Sequence, residues 1–177
     1  HNILKKLDIL KDKYFLLTLH RPESVDNKTK LIKLILNLEK IGKQYNIIFL
    51  FPVHPRTKKI INKINIKKLN FINFIKPLNF LDFLTVMKNS KIIFTDSGGI
   101  QEESSLLGIP CITLRSSTER QLSIINKSNI LTGHDYQKIS KAVKYFNNNE
   151  IKPSKIFGDG KVANKIFDKL KKIDRGN

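Results

Sequence analysis

Short runs of large apolar residues alternate with longer amphipathic segments along this sequence, and this alternation constrains the fold more than any other feature. The clearest helical segment spans Lys28–Tyr45, where Leu31, Leu34 and Leu38 recur on one helix face. The apolar runs are nearly continuous Ile, Leu, Phe and Val, which is typical of strands buried on both faces of a parallel sheet. The pattern therefore predicts one α/β domain with a doubly wound parallel sheet of about six strands.

The individual segments can be assigned from periodicity and from turn residues. Strands are predicted at Tyr14–Leu19, Asn46–Phe51, Phe71–Ile75, Lys91–Thr95, Pro110–Leu114 and Asn129–Leu131. Helices are predicted at Lys28–Tyr45, Arg56–Ile64, Leu78–Lys88, Gly98–Leu107, Thr118–Ile125, Asp135–Asn147 and Gly160–Lys172. In doubly wound sheets, ligands bind at the carboxyl ends of the strands. Polar residues that directly follow a strand are therefore the candidate site residues.

The charge of the chain is strongly positive but dispersed. The 177 residues include 33 Lys and Arg against 15 Asp and Glu, a net charge of +18. The lysines form no basic block and only five of the cations are Arg, which favours a solvated lysine surface over a specific nucleic-acid partner. With a single Cys, no Cys/His metal spacing and no apolar run long enough for a membrane span, we expect a cytoplasmic protein without metal, cofactor or membrane partner.

The strongest candidate site lies in Thr95–Glu103, which follows a predicted buried strand and opens a helix. Unpaired N–H groups and a partial positive charge at a helix start suit a phosphate. Gly98 and Gly99 would let a ligand approach the backbone closely, and Ser97 can donate a hydroxyl. Glu103 lies one helical turn beyond Gly99, where a carboxylate could accept hydrogen bonds from a ribose. The alternative is structural: Asp96 or Ser97 caps the helix and the glycines only turn the chain.

A second candidate site lies in Thr18–Glu23, at the end of the first predicted strand. A histidine side chain ordinarily titrates near neutrality, so beside a diphosphate His20 could donate a hydrogen bond or carry a charge, and Glu23 could set its tautomer. The alternative is a capped strand end with a solvated ion pair. His54 follows another predicted strand and is as compatible with a structural role as with a functional one.

Two further stretches carry residues suited to a nucleotide. Leu114–Arg120 places two arginines after a strand in an Arg-poor chain, which indicates anion recognition. The alternative there is an Arg–Glu pair that holds the loop. Pro77–Phe83 could pack a base, although the pattern favours Phe80 and Phe83 as core residues of an amphipathic helix.

In combination, these stretches have the order and spacing of a known family. The chain closely resembles the carboxyl-terminal half of the non-hydrolysing UDP-N-acetylglucosamine 2-epimerases, over nearly all of its length. The resemblance rests on Leu17–Glu23, Thr95–Glu103, Leu107–Pro110, Leu114–Arg120 and Phe157–Lys161. It implies that residues 1–177 form the UDP-binding, Rossmann-like second domain of a GT-B type fold. It also implies an amino-terminal domain with the catalytic carboxylates, which is absent from this chain.

The resemblance assigns roles to individual residues. It implies a uracil pocket at Leu78 and Phe83, a diphosphate site at Ser97, Gly98 and Gly99, a ribose-binding carboxylate at Glu103 and a nucleotide-contacting guanidinium at Arg120. His20 matches the family's active-site histidine. His54 falls near a position that helps some bacterial members bind a second, activating UDP-GlcNAc.

The activity implied by the resemblance is the interconversion of UDP-GlcNAc and UDP-ManNAc for cell-surface polysaccharide synthesis. UDP is eliminated, a glycal forms, and UDP then adds back. The family resemblance also implies a homodimer, and we expect this chain alone to be inactive. Two departures from the family pattern are Ser24, where Asn is usual, and Gln121-Leu122, where Pro-Glu is usual.

Three other functions are compatible with the sequence. The chain could be the donor-binding half of a GT-B glycosyltransferase, which would transfer the sugar to an acceptor instead of interconverting UDP-sugars. It could be a non-catalytic UDP-sugar-binding protein, since the carboxylates lie in the half that is absent. A basic nucleic-acid binder would show affinity that persists at moderate salt.

Overall fold

The sheet of this protein contains six parallel strands, as the computed structural model shows for residues 3–61 and 69–174. The strands are β1 (Tyr14–Thr18), β2 (Ile48–Pro52), β3 (Ile72–Ile75), β4 (Ile92–Thr95), β5 (Cys111–Thr113) and β6 (Asn129–Leu131). Their order is β3-β2-β1-β4-β5-β6. This is the doubly wound Rossmann order, in which the winding reverses between β1 and β4. The predicted α/β class and all six predicted strands are confirmed.

Helices connect the strands and cover both faces of the sheet. They are α1 (Ile3–Lys6), α2 (Pro22–Val25), α3 (Lys28–Tyr45), α4 (Pro55–Ile61), α5 (Phe80–Lys88), α6 (Gly98–Leu107), α7 (Gln121–Ile125), α8 (Tyr136–Asn148) and α9 (Val162–Asp174). The seven predicted helices are present, and the part of the Arg56–Ile64 prediction beyond Ile61 lies outside the described residues. The single-turn helices α1 and α2 were not predicted, because four residues are too few to show a helical period.

The core lies on both faces of the sheet, as the continuous apolar runs predicted. On one face, the rings of Phe15, Phe49 and Phe94 pack with centroids 4.8–5.3 Å apart, beneath α3 and α8. On the other face, Tyr14 and Leu16 of β1 pack with residues of α5 and α6. Successive residues of β1 thus enter opposite halves of the core, which requires every residue of the strand to be apolar or paired.

Gly108 is the residue that ends α6. This residue adopts a left-handed φ of 69°, and its N–H bonds to the carbonyls of Ser104 and Ser105. A Cβ at Gly108 would also lie 2.6 Å from the ring of Pro153. Both the backbone conformation and the packing therefore require glycine at this position.

The interpretation of Phe80 and Phe83 as core residues of α5 is correct for only one of the two. Phe83 is half-buried against the second core cluster, but Phe80 is 69% exposed. The interpretation of Phe80 as a core residue is wrong: Phe80 is the exposed first residue of α5, whereas the buried residues of this helix, Val86 and Met87, lie near its other end. Among the described residues, no helix is long and apolar enough to cross a membrane.

Candidate functional site

The candidate site forms where the winding of the sheet reverses. The chain leaves β1 toward α2 and α3 on one face, and it leaves β4 toward α6 on the other. A crevice at the carboxyl ends of two neighbouring strands is the usual ligand position in this class of sheet. His20 and Ser97 each lie two residues beyond the end of one of these strands. The structure therefore brings together the two candidate segments, Thr18–Glu23 and Thr95–Glu103.

The amino terminus of α6 is open to a ligand. Ser97 is the N-cap residue with an extended backbone, but within the described part of the chain its side chain makes no capping hydrogen bond. Gly98 is buried and Gly99 is exposed. A Cβ at Gly99 would meet one described heavy atom within 4 Å, the Ser97 Oγ at 4.0 Å. The first turn also carries no acidic residue, so no carboxylate of that turn neutralises its positive end.

The buried carboxylate of Asp96 holds the loop that carries His20. Asp96 is 0% exposed and accepts hydrogen bonds from the backbone N–H groups of His20, at 3.1 and 3.3 Å, and Arg21, at 3.0 Å. Its Oδ1 also lies 3.0 Å from the Nδ1 of His20. The alternative that names Asp96 or Ser97 as the cap of α6 is right about the position of Ser97, the N-cap residue, although no side-chain capping hydrogen bond forms there among the described residues.

A cluster of four charged residues closes one side of the crevice. In this Glu119 cluster, Glu119 contacts Arg115 at 3.0 Å and Arg21 at 3.4 Å, and Arg115 contacts Glu23 at 2.9 Å. The prediction that Glu23 sets the tautomer of His20 is wrong, because Glu23 pairs with Arg115 and Asp96 contacts the imidazole. The predicted Arg–Glu pair within the Leu114–Arg120 loop is confirmed, since Arg115 pairs with Glu119. A hydrogen bond from backbone and the Arg115 guanidinium hold the pKa of Glu119 below its usual value.

Arg120 lies over the start of α6. Its guanidinium pairs with Glu102, and a Cβ added at Gly98 would lie 3.7 Å from the Arg120 Nε and 2.7 Å from the Glu119 Oε1. The Arg120 side chain is about one-third exposed. A guanidinium so placed can reach an anion bound at the helix terminus.

Gln101 fixes this loop to α6, a role that the sequence did not indicate. The buried Oε1 of Gln101 accepts hydrogen bonds from the Thr118 hydroxyl at 2.7 Å and the Asn129 amide at 3.0 Å. Its Nε2 donates to the Ser97 carbonyl at 3.2 Å. Gln101 thereby joins the N-cap of α6, the loop before Arg120 and the start of β6. Only the tertiary fold brings these partners together.

The residues expected at the nucleoside lie on α6, on α5 and in the segment just before α5, and the two helices pack against each other. Glu103 is half-buried, and desolvation by burial, with a further contribution from the charge of Glu102, raises the pKa of Glu103. Leu78 and Phe83 are half-buried against the second core cluster. The helix that would carry the ribose contact therefore adjoins the segment that would carry the uracil contacts.

His54 lies beside His20. The two ring centroids are 6.5 Å apart. The hydroxyl of Thr57, in α4, donates to the Leu19 carbonyl at 2.9 Å and so holds this segment against the end of β1.

On the other side of the crevice, a cavity of about 260 Å³ is lined by residues that include Ser24, Arg115 and His134. Burial lowers the pKa of His134.

Comparison with known proteins identifies the family. The profile of the UDP-N-acetylglucosamine 2-epimerase family matches residues 1–171. The chain belongs to this family. The family's Methanococcus maripaludis UDP-N-acetylglucosamine 2-epimerase is 42% identical over 168 residues, and the enzyme of that name from Methanocaldococcus jannaschii is 41% identical over 162 residues. These alignments cover 90% and 89% of this chain but 46% and 44% of the relatives, so the chain spans about half the length of the curated relatives it matches.

Solved structures of 2-epimerases have the same fold. The Methanocaldococcus jannaschii enzyme in complex with UDP-GlcNAc and UDP superposes with a TM-score of 0.87 at 39% identity, over 97% of this chain and 48% of that one. The Neisseria meningitidis enzyme bound to UDP-GlcNAc superposes with a TM-score of 0.79 at 30% identity, over 97% and 48%. The expected Rossmann-like domain of a GT-B type fold is confirmed.

Proposed function

We propose that this chain is the UDP-binding half of a UDP-N-acetylglucosamine 2-epimerase. The observation that carries the proposal is the open, glycine-lined start of α6 beside His20, which Asp96 holds at the same crevice. An uncapped helix terminus, an imidazole and a nearby guanidinium together suit a diphosphate. In this proposal residues 1–177 act as one domain, and the substrate is UDP-GlcNAc, the ligand bound in two of the similar structures.

The proposed placement of UDP follows the order of the elements along the sheet. The diphosphate would lie on Ser97, Gly98 and Gly99, within reach of His20 and Arg120. The ribose would then lie one turn along α6, where Glu103 can accept its hydroxyl hydrogen bonds. The uracil would reach the segment before α5, against the Leu78 backbone and the Phe83 ring.

The proposed reaction is the interconversion of UDP-GlcNAc and UDP-ManNAc. The C2 proton passes to a base and the bond between C1 and the diphosphate oxygen breaks, which gives a glycal and UDP. UDP then adds back while a proton is delivered to the opposite face of C2. This chain supplies groups that stabilise the charge left on UDP. The base belongs to the half that the family resemblance assigns to the catalytic carboxylates, so we propose that this chain alone does not turn over.

Calorimetric titration of the 177-residue chain with UDP tests the proposal, at low salt and at about 0.2 M salt. We expect saturable UDP binding that survives the salt and exceeds the binding of UMP and ATP. Ser97→Ala and Glu103→Ala should each weaken it. The matched control is Glu150→Ala, which should not weaken it, because Glu150 is an exposed carboxylate near the amino ends of β4 and β5. Binding that disappears with salt or favours ATP would contradict the proposal.

Two wider expectations belong to the same proposal. We propose that the whole protein is a cytoplasmic homodimer with no specific nucleic-acid partner. Light scattering of the whole protein tests the dimer. A titration with double-stranded DNA at the same two salt concentrations tests the nucleic-acid expectation, because a dispersed lysine surface should lose its affinity at about 0.2 M salt.

A further inference from the structure

The most deeply buried charged group at the crevice is the carboxylate of Asp96. It is 0% exposed, and three nitrogen atoms from two consecutive residues lie against it: the backbone nitrogens of His20 and Arg21, which donate hydrogen bonds to it, and the Nδ1 of the His20 imidazole. A buried carboxylate is retained only when its oxygens are well hydrogen-bonded. Asp96 is therefore bonded to the ring and to the backbone that carries the ring at the same time.

This arrangement fixes which imidazole nitrogen carries a proton. A carboxylate can only accept hydrogen bonds, so the 3.0 Å contact between Asp96 Oδ1 and His20 Nδ1 requires a proton on Nδ1. The other ring nitrogen, Nε2, is then the one available to a ligand. His20 is 45% exposed although its Nδ1 is tied to a buried group, so the ring can face the crevice.

We propose that Asp96 is a positioning residue that holds His20 in the Nδ1-protonated form and presents Nε2 to the diphosphate. This inference rests on the proposed function for the identity of the ligand. Asp96 also directly precedes Ser97, so the residue that orients the imidazole leads into the helix terminus that would bind the same diphosphate. The two halves of the diphosphate site are thereby held in one fixed relation before a ligand arrives.

The tautomer can be measured without any ligand. In a long-range proton–nitrogen NMR spectrum of the ¹⁵N-labelled chain above the titration range of histidine, the ring of His20 should carry its proton on Nδ1. A His20→Gln spectrum assigns the signals. Free histidine favours the Nε2-protonated form, so Asp96→Asn should shift His20 toward that form. A wild-type His20 with its proton on Nε2 would overturn the proposal, even if Asp96→Asn did not fold.

A double-mutant cycle separates positioning of the ring from a purely structural role. We expect Asp96→Asn to weaken UDP binding about tenfold in the wild-type background and much less in the His20→Gln background, because its effect passes through the ring. An equal loss in both backgrounds would show that Asp96 only holds the loop, and would contradict the proposal. If no variant bound UDP, the proposed function would fail, while the tautomer measurement would still decide the role of Asp96.

Discussion

The hydroxyl groups of Thr18 and Thr95 lie 2.7 Å apart at the last residues of β1 and β4, directly opposite each other in the sheet. The Thr95 hydroxyl also accepts a hydrogen bond of 3.0 Å from the Ser97 N–H. Both threonines are buried. The two segments of the candidate site therefore diverge from a hydrogen-bonded pair that sets their separation.

Thr95→Val should destabilise the fold, because it keeps the shape of the side chain but leaves the Thr18 hydroxyl without its partner and the Ser97 N–H without its acceptor. We expect the free energy of unfolding to fall by about 1–3 kcal/mol, measured by urea denaturation. Thr18→Val/Thr95→Val should recover part of the loss, because it removes one of the unpaired groups. Equal stabilities of the single variant and the wild type would contradict this role.

Gly99→Ala should separate binding from folding. A Cβ at Gly99 meets no described heavy atom closer than the Ser97 Oγ at 4.0 Å, so the free chain has room for it. We expect an unchanged or slightly raised melting temperature, since alanine favours a helix over glycine. UDP affinity should fall by about tenfold, because the methyl group occupies the space through which a phosphate approaches the backbone. Calorimetry and thermal unfolding of the same sample check both outcomes; unchanged affinity would place the diphosphate elsewhere.

The elements of this fold were predictable because their signals are local. The period of Leu31, Leu34 and Leu38 defines α3, and all three are buried. The run Thr95–Glu103 predicted a strand end and a helix start, and α6 begins at Gly98. Such signals depend only on residues that are close in sequence, so they can be recognised without knowledge of the tertiary structure.

The partners of the site residues were not predictable, because they are remote in sequence. Asp96 lies 76 residues from His20, and Arg115 lies 92 residues from Glu23. The prediction paired Glu23 with His20 because they are neighbours in the chain. The register of β1 against β4 determines instead that Asp96 reaches the imidazole. The family resemblance indicated which residues are candidates for the site, but not which of them form ion pairs or hydrogen bonds with one another.

Glu102→Gln should strengthen UDP binding. Glu102 pairs with Arg120 in the free chain, so a diphosphate that takes the guanidinium must first compete with this carboxylate. Partly exposed ion pairs contribute about 0.2–1 kcal/mol, which corresponds to a fall in Kd of up to about fivefold. Calorimetry should also show weaker binding for Arg120→Gln and no change for Glu150→Gln. Weaker binding by Glu102→Gln would mean that Glu102 holds Arg120 in its binding position.

Cys111 should be inert in the folded chain. It is completely buried in β5, and desolvation by burial raises the pKa of its thiol to about 12. The thiolate needed for reaction is therefore absent near neutral pH. We expect no reaction with an aromatic disulfide reagent until denaturant is added, when one thiol per chain should react. Ser117→Cys, at an exposed loop position, should react at once. Rapid reaction of the wild-type chain would contradict the burial of β5.

His134 should make the fold less stable in mild acid. Burial lowers the pKa of its imidazole below the ordinary value of 6.5, although a hydrogen bond with the Leu114 backbone and the charge of Asp96 oppose the shift. Above both pKa values the residue is neutral in both states and contributes nothing. As the pH falls through 6.5, the unfolded chain takes up a proton and the folded chain does not, so stability decreases until the folded pKa is passed. The free energy of unfolding of His134→Gln should therefore fall less than that of the wild type between neutral and mildly acidic pH. The two proteins share every other histidine, so the difference isolates His134, and identical pH dependences would contradict the prediction.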